Sequence, residues 1–279
     1  MADDDVAEGN QDGREPGPDG APGRRFEGRV ALVTGASRGI GLAIARRVVA
    51  EGGRVVITGR DAGTLDEAVA GLGADRALGV AGKADDAAHR AAAVARTVER
   101  FGRLDHLVNN AGINPAYGPL AQVETGVARK ILEVNVIAAL EWTREAVAAA
   151  AASAAAGSAA GGLRSVVNMA SLAGTTSATN IGFYGVSKAA LINLTVQLAD
   201  ELAPATRVNA LAPAVVRTRL ARALYEGREV EAARAYPLRR LGEPDDVAGP
   251  AAFLLSDDAA WVTGQTLLVD GGASVRAAW

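Results

Sequence analysis

Short apolar segments alternate with segments of helical periodicity along almost the whole chain, and this alternation restricts its possible folds more than any other feature. The apolar segments are four to six residues long, as is typical of strands buried on both faces of a sheet. Strand–helix–strand units with short connections cross over in the right-handed sense and build a parallel sheet. We therefore expect an α/β fold with one doubly wound, seven-stranded parallel sheet. The predicted strands cover residues 29–34, 54–58, 77–80, 104–108, 165–169, 207–211 and 265–269, and the predicted helices cover residues 40–51, 64–72, 87–101, 123–156, 183–202 and 245–255.

The composition excludes several classes of function. Of the 279 residues, 49% are hydrophobic and 22% are charged, which is ordinary for a globular protein. Because cysteine is absent and His89 and His106 are the only histidines, we expect no disulfide, no thiolate nucleophile and no metal site. A net charge of −3 argues against nucleic acid as a partner, and no stretch of about 20 apolar residues could span a membrane. The acidic N-terminus lacks the apolar core of a secretory signal, so the expected location is the cytoplasm.

Two segments differ from the rest of the chain. Residues 1–23 contain seven acidic residues and one arginine, a net charge of −6, and eight of them are glycine or proline. Such a segment buries too little apolar surface to offset its ordering entropy, so we predict a disordered tail before a single domain at residues 24–279. Residues 146–162 are rich in alanine and then in glycine, which predicts a helix that runs on into a surface insertion without a function.

A glycine-rich motif lies between the first predicted strand and the first predicted helix. It reads TGASRGIG over residues 34–41 and includes Gly35, Gly39 and Gly41. Glycines let the backbone turn tightly and approach a pyrophosphate, and the helix that follows offers free N–H groups to the anion. A purely structural turn would also use glycines, but this strand–helix junction is the context that dinucleotide binding requires. The motif therefore predicts a nucleotide site.

The residues after the second predicted strand favour NADP(H) over NAD. Sites selective for NAD place a carboxylate there, where it bonds the ribose 2′-hydroxyl. In this chain Arg60 follows the strand, and Arg38 lies within the glycine motif. A guanidinium pairs with a 2′-phosphate, which a carboxylate would repel. The alternative explanation is that both arginines are solvated surface residues.

Three side chains suggest acid–base chemistry. Tyr184 and Lys188 lie four residues apart at the start of a predicted helix and so share one face. A phenol has a pKa near 10, and a neighbouring ammonium lowers that pKa. Ser171 follows the fifth strand, at the edge where open α/β sheets bind ligands, and its hydroxyl could bond a substrate carbonyl. A buried tyrosine beside a surface lysine would give the same spacing, so it is the combination with the glycine motif that indicates catalysis.

From about residue 26 to residue 273 the chain resembles the classical short-chain dehydrogenases/reductases, and within them most nearly the 3-oxoacyl-carrier-protein reductases. The matching motifs, in order, are TGASRGIG, NNAG at residues 109–112, the four residues of a catalytic tetrad, Thr218 and VDGG at residues 269–272. The resemblance implies a Rossmann-type fold. It also implies a tetrad of Asn135, Ser171, Tyr184 and Lys188, together with a cofactor site formed by Gly35, Ser37, Arg38, Gly39, Ile40, Gly41, Arg60, Asn110, Ala111, Gly112, Tyr184, Lys188, Pro213 and Thr218.

The resemblance also implies a role for each member of the tetrad. Tyr184 would give a proton to the carbonyl oxygen while hydride from the nicotinamide reaches the carbonyl carbon. Ser171 would hold that oxygen and stabilise its developing charge. Lys188 would bind the nicotinamide ribose and lower the pKa of the tyrosine. Asn135 would hold a water molecule that reprotonates the relay.

The chain departs from the family pattern at two positions. Lys83 lies where the family usually has an aspartate that accepts a hydrogen bond from the adenine amino group. A lysine cannot accept that bond, so Asp85 and Asp86 are candidate substitutes. Ala214 follows Pro213 in place of the family's glycine, which leaves the path of the substrate loop open.

The predicted function is the NADP(H)-dependent interconversion of a secondary alcohol and a ketone, for example a 3-oxoacyl or polyketide-like carbonyl. The alternatives are a catalytically idle NADP-binding regulator on the same fold and an NAD-linked alcohol dehydrogenase. The substrate loop, residues 214–236, mixes arginines with Tyr225 and Tyr236, and Tyr117 could also border the pocket, so the substrate itself stays open. A small-molecule substrate is the expected partner. The resemblance further implies a homotetramer, in which the two long predicted helices pair with those of a neighbour.

Overall fold

Seven parallel strands form one sheet in the order β3-β2-β1-β4-β5-β6-β7, which confirms the predicted fold class. This computed structural model describes residues 23–155 and 162–275 of the chain. The predicted disordered tail, apart from Gly23, lies outside these residues, as do residues 156–161 of the insertion and the last four residues. The strands are β1 (Val30–Val33), β2 (Arg54–Gly59), β3 (Ala77–Ala81), β4 (His106–Asn109), β5 (Ser165–Met169), β6 (Arg207–Pro213) and β7 (Thr266–Val269). The helices are α1 (Gly39–Ala50), α2 (Ala62–Leu72), α3 (Ala87–Phe101), α4 (Thr125–Leu132), α5 (Ala138–Ala155), α6 (Gly182–Leu202), α7 (Glu229–Arg234) and α8 (Pro244–Leu255).

Helices cover both faces of the sheet, which is why its strands read as continuous apolar runs. On one face, α1 and α2 pack against β1 and β2, and α8 packs against β5, β6 and α1. On the other face, the sheet packs against α3, α5 and α6 around Trp142, whose side chain is 1% exposed. None of the helices in the described part of the chain is both long and apolar enough to cross a membrane.

The strand order reverses between β1 and β4, and this reversal fixes where a ligand can bind. β1 pairs with β2 on one side and with β4 on the other, while the chain leaves β1 and β4 in opposite directions along the sheet. The loops after these two strands therefore separate and leave a crevice at the carboxyl edge. The glycine motif follows β1 and Asn110 follows β4, so both lie at this crevice.

The prediction of one continuous helix between β4 and β5 is wrong. The segment predicted as a single helix over residues 123–156 consists of α4 and α5, which are joined by a π-helical turn at Glu133–Ile137. In this turn the N–H of Ala138 donates to the carbonyl of Glu133, five residues earlier, so the helix widens around Asn135. A single widened turn leaves no signature in composition or hydrophobic period, so the sequence did not reveal it.

Candidate active site

A cavity opens at the carboxyl edge of the sheet, where the loops after β1, β4, β5 and β6 meet. It brings Ser171, Tyr184 and Lys188 together with part of the nucleotide site predicted from the sequence. The predicted site residues that do not line it are Gly35, Ser37, Arg38, Gly39, Gly41, Arg60, Ala111 and Asn135. The lining residues are Ile40, Asn110, Gly112, Met169, Ala170, Ser171, Tyr184, Lys188, Pro213, Ala214, Val216, Thr218, Leu220 and Ala221.

The glycine motif adopts a conformation that only glycine tolerates at two of its positions. Gly35 has a φ of +62°, and a methyl group added there would lie 2.9 Å from the Cα of Ala111. A methyl group on Gly41 would lie 2.5 Å from Nδ2 of Asn110. The loop is therefore pressed against the segment after β4. Arg38, which precedes α1, gives no side-chain cap to the helix, so no side chain at this position competes with an anion for the first N–H groups.

Asn110 and Ala111 hold the glycine motif in place from the neighbouring strand end. Nδ2 of Asn110 donates to the carbonyls of Thr34 and Gly35, both at 2.9 Å. The backbone N–H groups of Asn110 and Ala111 both donate to Oγ1 of Thr34 at 3.0 Å. Asn110 also lines the cavity, whereas Ala111 does not. Ala111 therefore supports the glycine motif from behind the cavity wall.

The edge beyond β2 contains the two predicted arginines and one carboxylate that the sequence analysis did not weigh. Arg38 and Arg60 are both exposed at this edge. The carboxylate of Asp61 accepts a hydrogen bond from the N–H of Thr64 at 2.8 Å and so caps α2. This bond, with a smaller contribution from Arg38, lowers the pKa of Asp61. The helix cap therefore engages the one carboxylate that immediately follows β2. The side chain of Ser37 lies against Gly59, where an added methyl group would approach it to 3.1 Å.

Tyr184 and Lys188 lie one turn apart on α6, as predicted, and face the end of β5. Nζ of Lys188 lies 5.6 Å from the centre of the Tyr184 ring and donates a hydrogen bond to the carbonyl of Met169 at 2.7 Å. The Lys188 side chain is buried, whereas Tyr184 is half-buried in the cavity wall. Oγ of Ser171 accepts a hydrogen bond from the N–H of Ala173 at 3.2 Å and begins a short 3₁₀ turn, which fixes the serine at the strand end.

The pKa of Tyr184 lies above its ordinary value, in the direction opposite to the lowering expected from Lys188. Burial raises the pKa of Tyr184 to about 12, and a hydrogen bond with Ser171 opposes that shift only in part. Burial also lowers the pKa of Lys188 to about 8. The reason is that the ammonium is bonded to a strand carbonyl, and removal from water penalises the phenolate. At neutral pH both groups keep their protons.

Asn135 lies behind the cavity rather than in its wall. Its Nδ2 donates to the carbonyl of Ile113 and to Oγ of Ser187, both at 3.0 Å, and its Oδ1 accepts from the N–H of Ile113 at 2.8 Å. A methyl group on Gly112 would lie 3.3 Å from this Oδ1 and 3.4 Å from Nζ of Lys188, so only glycine leaves this space open. Both amide hydrogens of Asn135 are engaged, so its side chain can bond a water molecule only through Oδ1.

Several candidate substrate residues lie away from the cavity. Tyr117 does not line it, and its hydroxyl accepts a weak hydrogen bond from Nδ2 of Asn180 at 3.4 Å. Two arginines of the substrate loop pair with carboxylates: Arg217 with Glu243 at 2.9 Å and Arg222 with Glu226. The wall of the cavity on the loop side is mainly apolar and consists of Val216, Leu220 and Ala221, which lie within the predicted substrate loop. The sequence reasoning had favoured the arginines and tyrosines of that loop as substrate contacts.

Two tyrosines of the substrate loop support its backbone. The hydroxyl of Tyr225 donates to the carbonyl of Thr218 at 3.3 Å. The hydroxyl of Tyr236 accepts from the N–H of Val215 at 3.3 Å. Thr218 is thereby held at the cavity, with Cγ2 3.4 Å from a methyl group added to Gly39.

The two proposed substitutes for an adenine-binding aspartate are engaged elsewhere. The carboxylate of Asp85 pairs with Nζ of Lys130. The carboxylate of Asp86 accepts from the N–H of His89 at 3.0 Å and caps α3. Helix packing and capping therefore already engage both side chains, and their role toward adenine stays a prediction. Within residues 23–155 and 162–275, no cluster of histidine, aspartate and glutamate could hold a metal ion.

Comparison with known proteins identifies the family. A family model described as "Enoyl-(Acyl carrier protein) reductase" matches residues 35–274. A Caenorhabditis elegans protein, "Dehydrogenase/reductase SDR family member 4", is 39% identical over 262 residues, which are 91% of this chain and 98% of that protein. The chain belongs to the short-chain dehydrogenase/reductase family. The family resemblance seen in the sequence is thus confirmed.

Other members of the short-chain dehydrogenase/reductase family are similarly close. "Tropinone reductase-like 3" of Erythroxylum coca is 40% identical over 258 residues, with 91% of this chain and 96% of that protein covered. A crystal structure described as "Short-chain dehydrogenase/reductase SDR:Glucose/ribitol dehydrogenase", from Brucella melitensis, matches with a TM-score of 0.81 and 35% identity. That match covers 89% of this chain and 98% of the other. The chain is therefore an oxidoreductase of a family that uses a nicotinamide cofactor, NAD or NADP.

The residues described here fit such a dinucleotide. The positive φ of Gly35 and the absence of side chains at Gly35 and Gly41 let the loop pack directly against Ala111 and Asn110 and turn tightly into the start of α1. The uncapped start of α1 faces an anion with free N–H groups and the positive end of the helix dipole. Lys188 and Gly112 line the cavity beside Ser171 and Tyr184, together with Ile40 of the glycine motif and Asn110. The cavity therefore joins the start of α1 to the candidate acid–base residues.

Proposed function

We propose that the protein is an NADP(H)-dependent oxidoreductase that interconverts a ketone and a secondary alcohol. The observation that carries this proposal is the shared cavity, in which Ser171 and Tyr184 lie beside Lys188 and the segment after β4. Two hydroxyl groups at one strand end are suited to hold a carbonyl oxygen. A buried ammonium beside them stabilises negative charge as it develops on that oxygen.

The charge states of these residues favour reduction at neutral pH. A bound nicotinamide would supply the hydride. Ser171 donates a hydrogen bond to the carbonyl oxygen, and Tyr184 gives that oxygen its proton. Because the pKa of Tyr184 is raised to about 12, the phenol is fully protonated before the reaction. Oxidation of the alcohol would instead require the phenolate, which this environment disfavours.

The preference for NADP(H) rests on the charges at the edge beyond β2. Arg38 and Arg60 are exposed there, and Asp61 points its carboxylate at the start of α2. A 2′-phosphate would meet the guanidinium groups of Arg38 and Arg60, while the carboxylate of Asp61 is directed to the cap of α2. An NAD-linked alcohol dehydrogenase needs the opposite arrangement.

We also propose that the chain assembles as a homotetramer. Helix α6 and the π-helical turn expose apolar side chains that a monomer would leave in water, among them Ile137, Val186 and Val196. A second exposed apolar group lies on α8 and the edge strand β7 and includes Phe253, Leu267 and Leu268. Two separate apolar faces on one chain are what a tetramer of two-fold symmetry requires.

The decisive assay is oxidation of NADPH in the presence of a panel of ketones, with NADH in parallel. The proposal expects turnover with at least one ketone and a higher kcat/KM for NADPH than for NADH. The panel includes an enoyl thioester, because the matching family model is named for enoyl reduction. Turnover of the enoyl thioester without any ketone would overturn the ketone assignment. NADPH binding without turnover of any compound would instead support the idle regulator.

A further inference from the structure

The loop after β3 places a lysine where the cofactor's base is expected to lie. In a doubly wound sheet the pyrophosphate lies after β1 and the adenosine ribose lies at the end of β2, so the base reaches toward the next strand outward, β3. The N–H of Gly82 donates to the carbonyl of Gly59 at 2.8 Å, which joins the loops after β3 and β2. Gly59 pairs with Ala81, so Gly82 follows β3 at the level at which Arg60 follows β2, and Lys83 lies one residue beyond that level.

Hydrogen bonds from two helices hold the backbone of the loop after β3. The carbonyl of Ala84 accepts hydrogen bonds from Nε1 of Trp142 at 3.0 Å and from a guanidinium N–H of Arg90 at 3.4 Å. Trp142 is almost completely buried in the helical layer. The backbone that presents Lys83 is therefore fixed by the core, which is what a recognition residue needs.

Lys83 is the charged side chain of this loop that remains available. The carboxylates of Asp85 and Asp86 are taken up by Lys130 and by the start of α3. The Lys83 side chain is exposed, and its interaction with the rest of the described chain is limited to electrostatic attraction to Asp85. An ammonium carries three donors and no acceptor, so it can bond ring nitrogens or carbonyl oxygens but not an amino group.

We propose that the ammonium of Lys83 donates a hydrogen bond to an acceptor atom of the cofactor's base. The site therefore does not select adenine by its amino group. This inference rests on the proposed function, because it takes a dinucleotide as the ligand. Hypoxanthine carries a carbonyl oxygen where adenine carries its amino group. The hypoxanthine analogue of NADP⁺ should therefore bind at least as tightly as NADP⁺ itself.

The test compares dissociation constants of NADP⁺ and its hypoxanthine analogue by calorimetric titration. Both ligands carry the same 2′-phosphate, so their ratio cancels any contribution of Lys83 to the phosphate. In the unaltered protein, we expect the dissociation constant of the hypoxanthine analogue to be equal to or lower than that of NADP⁺. Lys83→Asp should reverse the order and favour adenine by about tenfold, the effect of one charge-assisted hydrogen bond. Lys83→Met should bring the ratio close to one.

Arg96→Met serves as the matched control, since it removes an exposed positive charge from α3 away from this loop and should leave the ratio unchanged. A tenfold preference for adenine in the unaltered protein, or a ratio that no Lys83 variant changes, would overturn the inference and leave the proposed function intact. Failure of both dinucleotides to bind the unaltered protein would overturn the proposed function as well. Melting temperatures of the variants establish that each is folded.

Discussion

Burial acts in opposite directions on the two titratable side chains of the cavity. It raises the pKa of Tyr184 to about 12 and lowers the pKa of Lys188 to about 8. The uncharged form gains in both cases, because the site removes each group from water. At neutral pH the tyrosine is a proton donor and the lysine still carries its charge, which is the combination that carbonyl reduction requires.

The pH dependence of reduction should follow Lys188 rather than Tyr184. Because the lysine is protonated below its pKa of about 8, kcat/KM should be level at neutral pH and fall as the pH rises above that value. The measurement is a kcat/KM profile with NADPH, accompanied by dissociation constants for NADPH at each pH to separate binding from turnover. A profile that rises through pH 8 would mean that the reactive form is the deprotonated one.

Cofactor choice should depend on Arg60. Replacement Arg60→Ala removes one charge-assisted contact, so NADPH affinity should fall by about 1.5–3 kcal/mol while NADH affinity stays nearly constant. Fluorescence titration of both cofactors measures the two changes. The control Arg96→Ala removes a similar exposed charge from α3 and should affect neither. Equal losses for the two cofactors in Arg60→Ala would contradict a contact with the 2′-phosphate.

At the scale of elements, a buried polar chain links the strands to the helix that carries the site. Nδ2 of Asn109 on β4 donates to Oδ1 of Asn168 on β5 at 2.9 Å, and Nδ2 of Asn168 donates to Oγ1 of Thr195 on α6 at 2.9 Å. All three side chains are buried. Asn110 follows β4 and Met169 ends β5, and both residues line the cavity. These buried hydrogen bonds therefore fix the position of α6 relative to the cavity.

A substitution that keeps the side-chain shape but removes one hydrogen-bonding group of this polar chain should lower the free energy of unfolding. Thr195→Val is nearly isosteric and leaves a buried amide hydrogen of Asn168 without its acceptor, so the free energy of unfolding should fall by about 1–3 kcal/mol. Urea denaturation measures it. Val230→Thr, on an exposed position of α7, is the control and should change stability by less than about 0.5 kcal/mol. An unchanged Thr195→Val protein would show that these bonds contribute little.

The sequence predicts the elements well and the contacts between them poorly. Strands buried on both faces are continuous apolar runs, so β5 was found with its observed bounds and α3 likewise, between Asp86 and a terminal glycine. The bond from Lys188 to the carbonyl of Met169 joins two elements and leaves no local pattern. For the same reason the positions of Tyr117 and of the paired arginines could not be read from residue type. The motifs locate the site, and the tertiary contacts set its charges.

At the scale of the whole molecule, the crevice and the surfaces proposed for assembly lie on different parts of the fold. The crevice lies at the carboxyl edge of the central strands, while the apolar side chains proposed for assembly lie on the π-helical turn, α6, α8 and the edge strand β7. Trp261, just before β7, is fully exposed, and Val186 on α6 is 48% exposed. A neighbouring chain could therefore cover both surfaces without blocking the crevice.

The assembly prediction is tested by light scattering of the purified protein. We expect a mass near four times the chain's 28.3 kDa. Val186→Asp should lower that mass, because it places an uncompensated charge in the proposed contact of α6. Val230→Asp changes an equally apolar exposed residue on α7 and should leave the mass unchanged. A mass of a single chain for the unaltered protein would exclude the tetramer.

The central claim is that the hydroxyl group of Tyr184 supplies the proton to the substrate oxygen. Its most direct test is the turnover of Tyr184→Phe with NADPH and the best ketone, measured beside the NADPH dissociation constant of the same variant. The ring is preserved and only the proton donor is lost, so turnover should fall by about 10²–10⁴-fold while the dissociation constant stays close to that of the unaltered protein. A Tyr184→Phe protein that binds NADPH and still turns over at a rate near the original would contradict the account.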